Sequence, residues 1–529
     1  MMQKERKGQI VLVNHNEYAA VADVVRQFFG NIQPENSVFT IPATDDFTIT
    51  CTSSAELSPE LIRKVNRDEL NEHEVAELPR EFELWVELLN VGGKWVWREQ
   101  TTPLNLRRSL RRLLHKALSA QTEISFPWGS LLGVRPTQVA LTILEEGRQQ
   151  QKSVPTSGGA YSDAEKIHAQ RELEEYWGVS QPKAALAVET AEAEHKLLSK
   201  IDSEAGDYIV YVGLPFCPSR CNYCSFITES ALSQVGLLDE YVTAVIAESK
   251  ALFSLIKRPP RAVYFGGGTP TSLADDLFDR YVKSVVAAVP QAQGIEYTME
   301  AGRPDTINVA KLKSIKEAGF NKICINPQSM IDETLAAVGR RHSVADTVTA
   351  FKLAREAGFT DINMDLIAGL PGDRKEGFLY SLERVLELDP ESITLHTLSV
   401  KRGAFLDEEG RAGDPFLPQV KLIRQMEAAQ DQLRQSGYKP YYLYRQRTAR
   451  SGLENIAFAK NAGSLYNVAM MSDAVPVLGL GSGATTKCIR EGTAERMYNP
   501  KDLKFYIERI DSIIEKKIDF FTKYSQINE

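Results

Sequence analysis

Cysteine and histidine are scarce in this chain, with six cysteines and seven histidines among 529 residues. Six cysteines in a chain of this length give no dense disulfide framework of the kind that small secreted proteins use. The common zinc motifs are missing too, because neither a second C-x2-C knuckle nor a histidine lies close in sequence to the one group of cysteines. These absences disfavour a secreted disulfide scaffold and a zinc module.

Long apolar runs are absent, and so is an excess of positive charge. The apolar stretch at 10–13 is interrupted at once by Asn14, His15 and Asn16, and no run of about 20 apolar residues follows. The net charge of −8 disfavours broad nucleic-acid binding. We therefore expect a cytoplasmic protein with no membrane span and no nucleic-acid partner.

The length of the chain and its 43% hydrophobic content suit about three domains with filled cores. One change of pattern lies near 181–183 and 202–207, and a second lies in the stretch 403–418, which is rich in helix breakers. We predict an N-terminal accessory domain at 1–190, a central domain at 191–405 and a C-terminal domain at 406–529.

Cys217, Cys221 and Cys224 form a C-x3-C-x2-C run. A cubane iron-sulfur cluster has four irons and is usually held by four thiolates, so three cysteines leave one iron open. S-adenosylmethionine (SAM) can chelate that iron, and an electron from the cluster then cleaves it to a 5′-deoxyadenosyl radical. A zinc site or a purely structural cluster is the alternative. The run resembles that of the radical SAM superfamily, which implies a [4Fe-4S] cluster and SAM as cofactors.

From about residue 207, short β-rich runs alternate with helical stretches. Strands are predicted at 208–212, 262–265, 296–300, 322–326, 361–366 and 392–398. This period is typical of βα units that build a parallel sheet, and six such units resemble the partial (β/α)6 barrel of the superfamily, which is similar to part of a TIM barrel. We predict an α/β protein in which this barrel lies between an N-terminal α+β domain and a C-terminal mainly helical domain. Chemistry in such barrels lies at the C-terminal ends of the strands.

The segment Gly266-Gly267-Gly268-Thr269-Pro270 follows the second predicted strand. Glycine lets backbone approach a ligand because no Cβ is in the way, although a structural turn is the alternative for such a segment taken alone. Placed one βα unit after the cysteine run, it resembles the superfamily segment that holds the methionine end of SAM. That resemblance implies Gly267, Gly268 and Thr269 as cofactor contacts.

Four polar residues, Glu300, Gln328, Arg340 and Asp365, lie at or beyond successive strand ends. A lone carboxylate there is more often a helix cap or a surface charge. SAM, however, needs a carboxylate for its ribose, a guanidinium for its own carboxylate and amides for orientation. The segments 326–329, 339–343 and 365–372 resemble the coproporphyrinogen III dehydrogenase branch (HemN/HemW/HemZ). The resemblance implies SAM contacts from these four residues and from Tyr211, Tyr223 and Ser399.

The chain departs from that branch in two places. The oxidase has a fourth cysteine two residues beyond the triad, where this chain has Phe226, and the His-Asn-x-x-Tyr-Trp heme motif of the chaperones is replaced by a segment that begins Tyr466-Asn467. The front segment 126–137 resembles that of HemZ-type members. By its own chemistry, a tryptophan and prolines beside glycines indicate a packed turn.

Leucines recur through 104–118 with four arginines and a lysine between them. This pattern predicts an amphipathic helix with a solvated basic face. Docking of an acidic electron donor on that face is the sharper alternative.

The resemblance implies oxygen-independent oxidative decarboxylation of coproporphyrinogen III to protoporphyrinogen IX, a step of heme biosynthesis. Its partners would be a tetrapyrrole substrate and reduced flavodoxin or ferredoxin as electron donor. The alternative is a heme-binding or heme-trafficking protein of the HemW type, which Phe226 favours and Tyr466 disfavours. A radical enzyme acting on RNA is a third hypothesis, disfavoured because no basic tail with interleaved aromatic residues is visible.

Overall fold

The structure is a computed structural model. It describes residues 6–29, 32–33, 38–41, 47–67, 69–70, 74–75, 78–90, 92–133, 135–150, 160–224, 229–230, 235–373, 376–399, 420–445, 452–490 and 493–524. The predicted boundary stretch at 403–418 lies outside these ranges.

The N-terminal region folds as a six-stranded sheet with helices packed on it. Its strands are β1 (Arg6–Val13), β2 (Ile32–Gln33), β3 (Val38–Ile41), β4 (Phe47–Ser53), β5 (Phe82–Asn90) and β6 (Gly93–Thr101), and its helices are α1 (Tyr18–Phe29), α2 (Pro59–Arg67) and α3 (Leu106–Thr122). The strand order is β2-β3-β1-β4-β5-β6. Every second residue of β5 from Phe82 to Leu88 is buried, as expected of a strand with one face on helices. This is the predicted α+β arrangement.

Helix α3 is the predicted amphipathic helix. It buries a stripe of leucines at 106, 110, 113, 114 and 118. Its arginines at 107, 111 and 112 pair with acidic residues of the same region, namely Glu17 at 3.6 Å, Asp23 at 2.5 Å and Glu99. The polar face of this helix is basic as predicted, and its three arginines stay partly exposed while they form ion pairs that the sequence pattern did not indicate.

Helices α4 (Pro136–Gln150), α5 (Asp163–Glu175) and α6 (Gln181–Leu198) follow. The apolar core of the N-terminal sheet includes Phe126, whereas Trp128 and these helices belong to the core that fills the rest of the chain. The division of the chain at residues 190 and 405 stays a prediction. No helix in the described part of the chain has the length and apolar content needed to cross a bilayer.

The front segment around Trp128 packs against a distant part of the chain. The Trp128 ring is completely buried, and its Nε1 donates to Glu454 Oε2 at 2.7 Å. Lys183 Nζ donates to the other carboxylate oxygen of Glu454 at 2.6 Å, and both of these side chains are fully buried. The segment thus ties the front of the chain to the tail, as a packed turn does.

Six parallel strands form the predicted partial barrel. They are β7 (Ile209–Leu214), β10 (Ala262–Gly267), β11 (Glu296–Glu300), β12 (Lys322–Cys324), β13 (Ile362–Ala368) and β14 (Ser392–Thr397), with the two-residue strands β8 (Phe216–Cys217) and β9 (Glu229–Ser230) between the first two. The helices between them are α7 (Val235–Leu255), α8 (Asp275–Ala288), α9 (Val309–Glu317), α10 (Asp332–Ala337), α11 (Val344–Glu356) and α12 (Gly377–Leu388). Each strand pairs with its neighbour in chain order. The α/β class and the barrel are confirmed, and each strand end lies within two residues of its predicted place.

The tail contributes helices and also strands. Its helices are α13 (Val420–Gln435), α14 (Leu465–Met471), α15 (Leu503–Glu508) and α16 (Ile510–Tyr524), and its strands are β15 (Lys439–Arg445), β16 (Glu454–Ala459), β17 (Val477–Leu480), β18 (Thr485–Arg490) and β19 (Thr493–Tyr498). Strand β16 pairs antiparallel with β14, and β17 pairs parallel with β7, so the tail extends the barrel sheet at both edges to eleven strands. Helices hold more of the described tail than strands do, but the tail strands belong to the barrel's own sheet.

The N-terminal ends of the barrel strands are closed by helix α14. Glu296, the first residue of β11, accepts hydrogen bonds from Ser464 Oγ at 2.7 Å and from the amides of Leu465 and Tyr466 at 3.0 Å each. Tyr466 lies inside the barrel, with its ring stacked on Tyr264 at 4.4 Å between centroids. We call this the closed end, and we call the opposite end, where the strands finish, the pocket end.

Candidate active site

The cysteine run lies at the pocket end, directly after β7. Cys217 Sγ is 3.3 Å from Thr269 Oγ1, and the amide of Cys224 donates to the carbonyl of Cys221 at 3.0 Å in a tight turn. Burial, opposed by the hydrogen bond with Thr269 and assisted by the nearby thiols of Cys221 and Cys224, raises the pKa of the Cys217 thiol to about 11. A bound metal ion would deprotonate such a thiol. The three cysteines therefore share one neighbourhood beside Thr269.

Arg303 is a residue of this neighbourhood that the sequence reasoning missed. Its side chain is 2% exposed, and Nη1 lies 3.7 Å from Cys221 Sγ and 3.2 Å from the carbonyl oxygen of Ser219. Nη2 donates to Ser219 Oγ at 3.0 Å. Its position three residues beyond β11 is the one feature of the sequence that could have indicated a residue of the site. A buried guanidinium here fixes the loop and places positive charge beside a thiol.

The glycine segment packs directly on the cysteine loop. The amide of Gly268 donates to the Leu214 carbonyl at 2.7 Å, and the amide of Thr269 donates to the Phe216 carbonyl at 2.7 Å. A Cβ at Gly268 would overlap the Phe216 carbonyl oxygen. Gly267 has φ +106°, and a Cβ there would lie 2.8 Å from the Tyr211 hydroxyl. These glycines therefore hold the two loops together, and contact with SAM stays a prediction.

Two ionisable residues, Glu300 and Asp365, face each other within the barrel. Glu300 Oε2 accepts the amide of Gly267 at 3.3 Å, and burial, followed by the charge of Asp365, raises the pKa of Glu300 to about 7. Burial would also raise the pKa of Asp365, but hydrogen bonding and charge from His396, with a hydrogen bond from Asn363, outweigh it and lower that pKa. One carboxyl is thus ionised at neutral pH while the other titrates there.

Gln328 and Arg340 border the same region. Gln328 has φ +69°, and its backbone joins β13 by accepting from the Ile367 amide and donating to the Asp365 carbonyl, both at 2.9 Å. Its Oε1 is buried without a hydrogen-bond partner. Arg340 Nη1 donates to the carbonyls of Asn326 at 2.6 Å and Gly302 at 3.3 Å. Arg340 therefore braces the loops that follow β11 and β12.

The remaining predicted SAM contacts are Tyr211, Tyr223 and Ser399. Arg340 Nε donates to the Tyr223 hydroxyl at 3.3 Å, which ties Tyr223 to the pocket end. Tyr211 lies on β7 with its hydroxyl next to Gly267. Ser399 is half-buried two residues past the end of β14. The structure thus connects most of the predicted residues through contacts in and above the barrel, but Asp365 lies in the middle of β13 and not at its end as predicted, because the strand continues to Ala368.

A cavity of about 610 Å³ opens beside the cysteine loop. It is lined by Pro218, Ser219, Arg220, Ala336, Gly339, Arg340 and Arg341. Three of these seven residues are arginines, so the surface next to the cysteines is cationic.

Among the residues that the structure describes, no three His, Cys, Asp or Glu side chains converge closely enough to hold a single metal ion. A cubane cluster does not require such convergence, because each cysteine binds a different iron. Phe226, at the position of the missing fourth cysteine, lies outside the described residues. The ligand set of Cys217, Cys221 and Cys224 stays a prediction.

Comparison with known proteins agrees with this class of barrel. A model of the radical SAM superfamily matches residues 211–385. The Bacillus subtilis "oxygen-independent coproporphyrinogen-III oxidase-like protein HemZ" is 34% identical over 410 residues, which cover 76% of this chain and 78% of that protein. The heme chaperone HemW of the same species is 32% identical over 250 residues, which cover 46% of this chain and 64% of HemW.

Solved structures give a weaker likeness. The Escherichia coli coproporphyrinogen III oxidase HemN, described as a radical SAM enzyme, matches 60% of this chain and 73% of its own at 24% identity, with a TM-score of 0.49. The sequence match to HemZ is long enough on both chains to define a family. This chain belongs to the radical SAM superfamily and, within it, to the family of oxygen-independent coproporphyrinogen-III oxidase-like proteins.

The superfamily uses a [4Fe-4S] cluster and SAM, and these are the cofactors of this chain. The pocket end fits both groups. Its three thiols have Arg303 beside them, and the buried oxygens Gln328 Oε1 and Asn326 Oδ1 lack a hydrogen-bond partner that a ligand would supply.

Proposed function

We propose that this protein catalyses the oxygen-independent oxidative decarboxylation of coproporphyrinogen III to protoporphyrinogen IX. Cys217, Cys221 and Cys224 would hold the cluster. Tyr211, Tyr223, Gly267, Gly268, Thr269, Glu300, Gln328, Arg340, Asp365 and Ser399 would hold SAM. The observation that carries the proposal is the convergence of ionisable and unpartnered polar groups on the glycine and cysteine loops at one barrel end.

Each side chain would have a distinct task. The ionised carboxylate of Asp365 would accept hydrogen bonds from ribose hydroxyls, and Gln328 Oε1 would accept from an amino group. Arg340 and Arg303 would keep the cysteine loop against the loops after β11 and β12. When bound, the cluster and SAM supply abstraction of a hydrogen atom from an unactivated carbon.

The closed end supports radical chemistry of this kind. The buried Tyr466 ring and helix α14 pack against the N-terminal ends of the barrel strands. Exclusion of water and a fixed distance between reacting atoms prevent side reactions of a primary radical. Each of two propionates would lose a hydrogen atom, CO2 and one electron, and each would become a vinyl group.

The electron donor would dock at the cationic cavity beside the cysteine loop. Reduced flavodoxin and ferredoxin are acidic proteins, and the exposed arginines of this cavity, Arg220 and Arg341, would attract them. The arginines of α3 at 107, 111 and 112 are less suited, because they already pair with carboxylates.

One anaerobic assay tests the proposal. The full chain with its reconstituted cluster is incubated with SAM, dithionite and coproporphyrinogen III, with and without a cell extract as a source of electron acceptor. We expect 5′-deoxyadenosine together with the singly and then the doubly decarboxylated tetrapyrrole. The Cys217→Ala variant, prepared in parallel, should give neither product.

Heme binding is the second candidate function, favoured by the similarity to heme chaperones. It predicts stoichiometric, tight heme binding and SAM cleavage without any decarboxylated tetrapyrrole, an outcome that would overturn the leading proposal. Tyr466 would not be the heme ligand, because it is 5% exposed and stacked at the closed end.

A further inference from the structure

His396 lies on β14 between Asp365 of β13 and Asn455 of β16. Its Nε2 is 3.5 Å from Asp365 Oδ2, and its Nδ1 is 3.3 Å from Asn455 Oδ1. Asp365 is one of the residues that we propose to hold SAM, so a role for His396 in the site rests on that proposed function. His396 itself was not among the residues singled out from the sequence.

The hydrogen bonds around His396 determine where its protons lie. The backbone amide of Thr397 donates to Asn455 Oδ1 at 3.0 Å, so this atom is the carbonyl oxygen of the asparagine. His396 Nδ1, which faces the same oxygen, must therefore carry a hydrogen. On the other side of the ring, Nε2 faces a carboxylate whose second oxygen accepts from Asn363 Nδ2 at 2.7 Å. An acceptor that faces each ring nitrogen favours the form of His396 that is protonated on both, an imidazolium.

The other groups around His396 agree with a positive charge. Burial alone would lower the pKa of His396, but Asp365, Asn455 and the charge of Glu300 outweigh it and raise that pKa above 6.5. Cys324 of β12 and Tyr264 of β10 also face this group of carboxyls, and burial raises the pKa of each well above its usual value, so both are neutral. Two carboxyls and one imidazolium thus share the interior.

Asn455 is held in place by the buried contacts of its neighbour. Glu454 accepts hydrogen bonds from Trp128 at 2.7 Å and from Lys183 at 2.6 Å, and its carbonyl accepts from Thr397 Oγ1 at 2.9 Å. The front segment therefore fixes β16 against β14. This contact gives the segment around Trp128 a role in ordering the pocket from a distance.

We propose that His396 is a positively charged positioning residue that keeps Asp365 ionised and oriented toward the cofactor. Loss of its proton would remove the ion pair and release one carboxylate oxygen. A group that is charged below its pKa exerts its effect in full at low pH and loses it as the pH rises through that pKa. SAM affinity should therefore contain a component that His396 supplies and that disappears at alkaline pH.

The first experiment measures SAM affinity of the reconstituted full chain between pH 6 and 9 for wild type and His396→Gln. Glu300 titrates in both proteins, and because the charge of His396 lowers the pKa of Glu300, the ratio of the two affinities reports the charge of His396 together with its effect on that carboxyl. We expect wild type to bind about 10-fold more tightly at pH 6, the usual size of a lost charge-assisted hydrogen bond, and the two to converge at pH 9. A constant ratio across the range would overturn the proposal.

Two further variants keep the result interpretable. Asn455→Asp retains the acceptor for Thr397 and adds negative charge beside Nδ1. Its SAM affinity should therefore converge with that of His396→Gln at a higher pH than the wild-type affinity does. His168→Gln, a change at an exposed histidine, should leave affinity and its pH dependence unchanged. If the pH of convergence were the same for Asn455→Asp as for wild type, the assigned hydrogen-bond geometry around His396 would be contradicted.

The second experiment does not depend on the cofactors. In full-chain protein labelled at the histidine rings, the nuclear magnetic resonance signal lost in His396→Gln should be that of an imidazolium at pH 6.5 and should titrate above that pH. A neutral ring at pH 6.5 would refute the inference. Absence of SAM binding by wild type at every pH would instead refute the proposed function, while leaving this titration to decide the charge of His396.

Discussion

The two ends of the central barrel are made by the same six strands, yet their polar groups are arranged in opposite ways. Glu296 and Glu300 lie four residues apart on β11. At the closed end, the Glu296 carboxylate accepts three hydrogen bonds from the start of α14. At the pocket end, Glu300 accepts one backbone amide at 3.3 Å, and burial raises its pKa to about 7.

The difference separates structural polar groups from those prepared for a ligand. The Glu296 carboxylate of the closed end is satisfied by the chain itself, whereas Gln328 Oε1 and Asn326 Oδ1 of the pocket end are buried and unpartnered. A buried oxygen without a partner costs about 1–3 kcal/mol. A fold retains such groups where a bound molecule completes their hydrogen bonds. Variants at each end of the barrel test this contrast.

The largest effect is expected at the cysteines. Replacing Cys217, Cys221 or Cys224 by alanine should abolish the reduced-cluster signal in electron paramagnetic resonance, because each change removes one of only three thiolates. Cys51→Ala, in the buried core of the N-terminal sheet, should keep the signal. A complete cluster in any of the three variants would refute the ligand assignment.

Gly268→Ala should come next, because its Cβ would overlap the Phe216 carbonyl and push the glycine loop off the cysteine loop. We expect most of the bound iron to be lost after reconstitution, as measured by iron and sulfide analysis. The matched change Gly133→Ala meets no atom within 4 Å and should have no effect on iron content. Equal iron contents in the two variants would show that the close packing of the loops is dispensable.

Asp365→Ala should weaken SAM binding about 10- to 150-fold, the cost of about 1.5–3 kcal/mol for lost hydrogen bonds to a charged group. Iron content should not change. Asp361→Ala removes a carboxylate at the other end of the same strand, where it pairs with Lys322 at 2.8 Å, and should leave SAM affinity intact. Arg340→Ala should lower both affinity and iron content, because Arg340 braces the loops as well. Calorimetric titration measures the SAM affinity of each variant. Equal affinities for Asp365→Ala and Asp361→Ala would contradict the proposed difference between the two barrel ends.

The smallest effect is expected from Glu296→Ala at the closed end. Loss of its bonds to Ser464, Leu465 and Tyr466 should destabilise α14 by about 1–2 kcal/mol, which corresponds to about 10-fold faster hydrogen exchange of its amides. SAM affinity should stay at the wild-type value. Unchanged hydrogen exchange at α14, or a SAM affinity that falls below the wild-type value, would contradict the assigned roles.

Much of the candidate site was predictable because parallel strands finish at one edge. Once the six strands were recognised from their β-rich runs, Cys217, Gly267, Glu300 and Asp365 had to converge. Arg303 was not predictable, since a guanidinium buried against Cys221 looks in sequence like any arginine after a strand. The paired basic face of α3 was missed for the same reason, because its acidic partners come from elsewhere in the chain.

Features that depend on neighbours along the chain are set locally: the spacing of three cysteines, the glycines that admit close backbone contact, and the alternation of strands and helices. Which distant groups meet depends on how the whole chain packs. Trp128 and Glu454 are 326 residues apart, and His396 and Asn455 are 59 apart, yet each pair is in contact. Strand and loop patterns follow from local backbone preferences, whereas the partner of a buried charge is chosen by packing of the whole chain. That packing places helix α14 at the closed end of the barrel and leaves the predicted site residues at the pocket end.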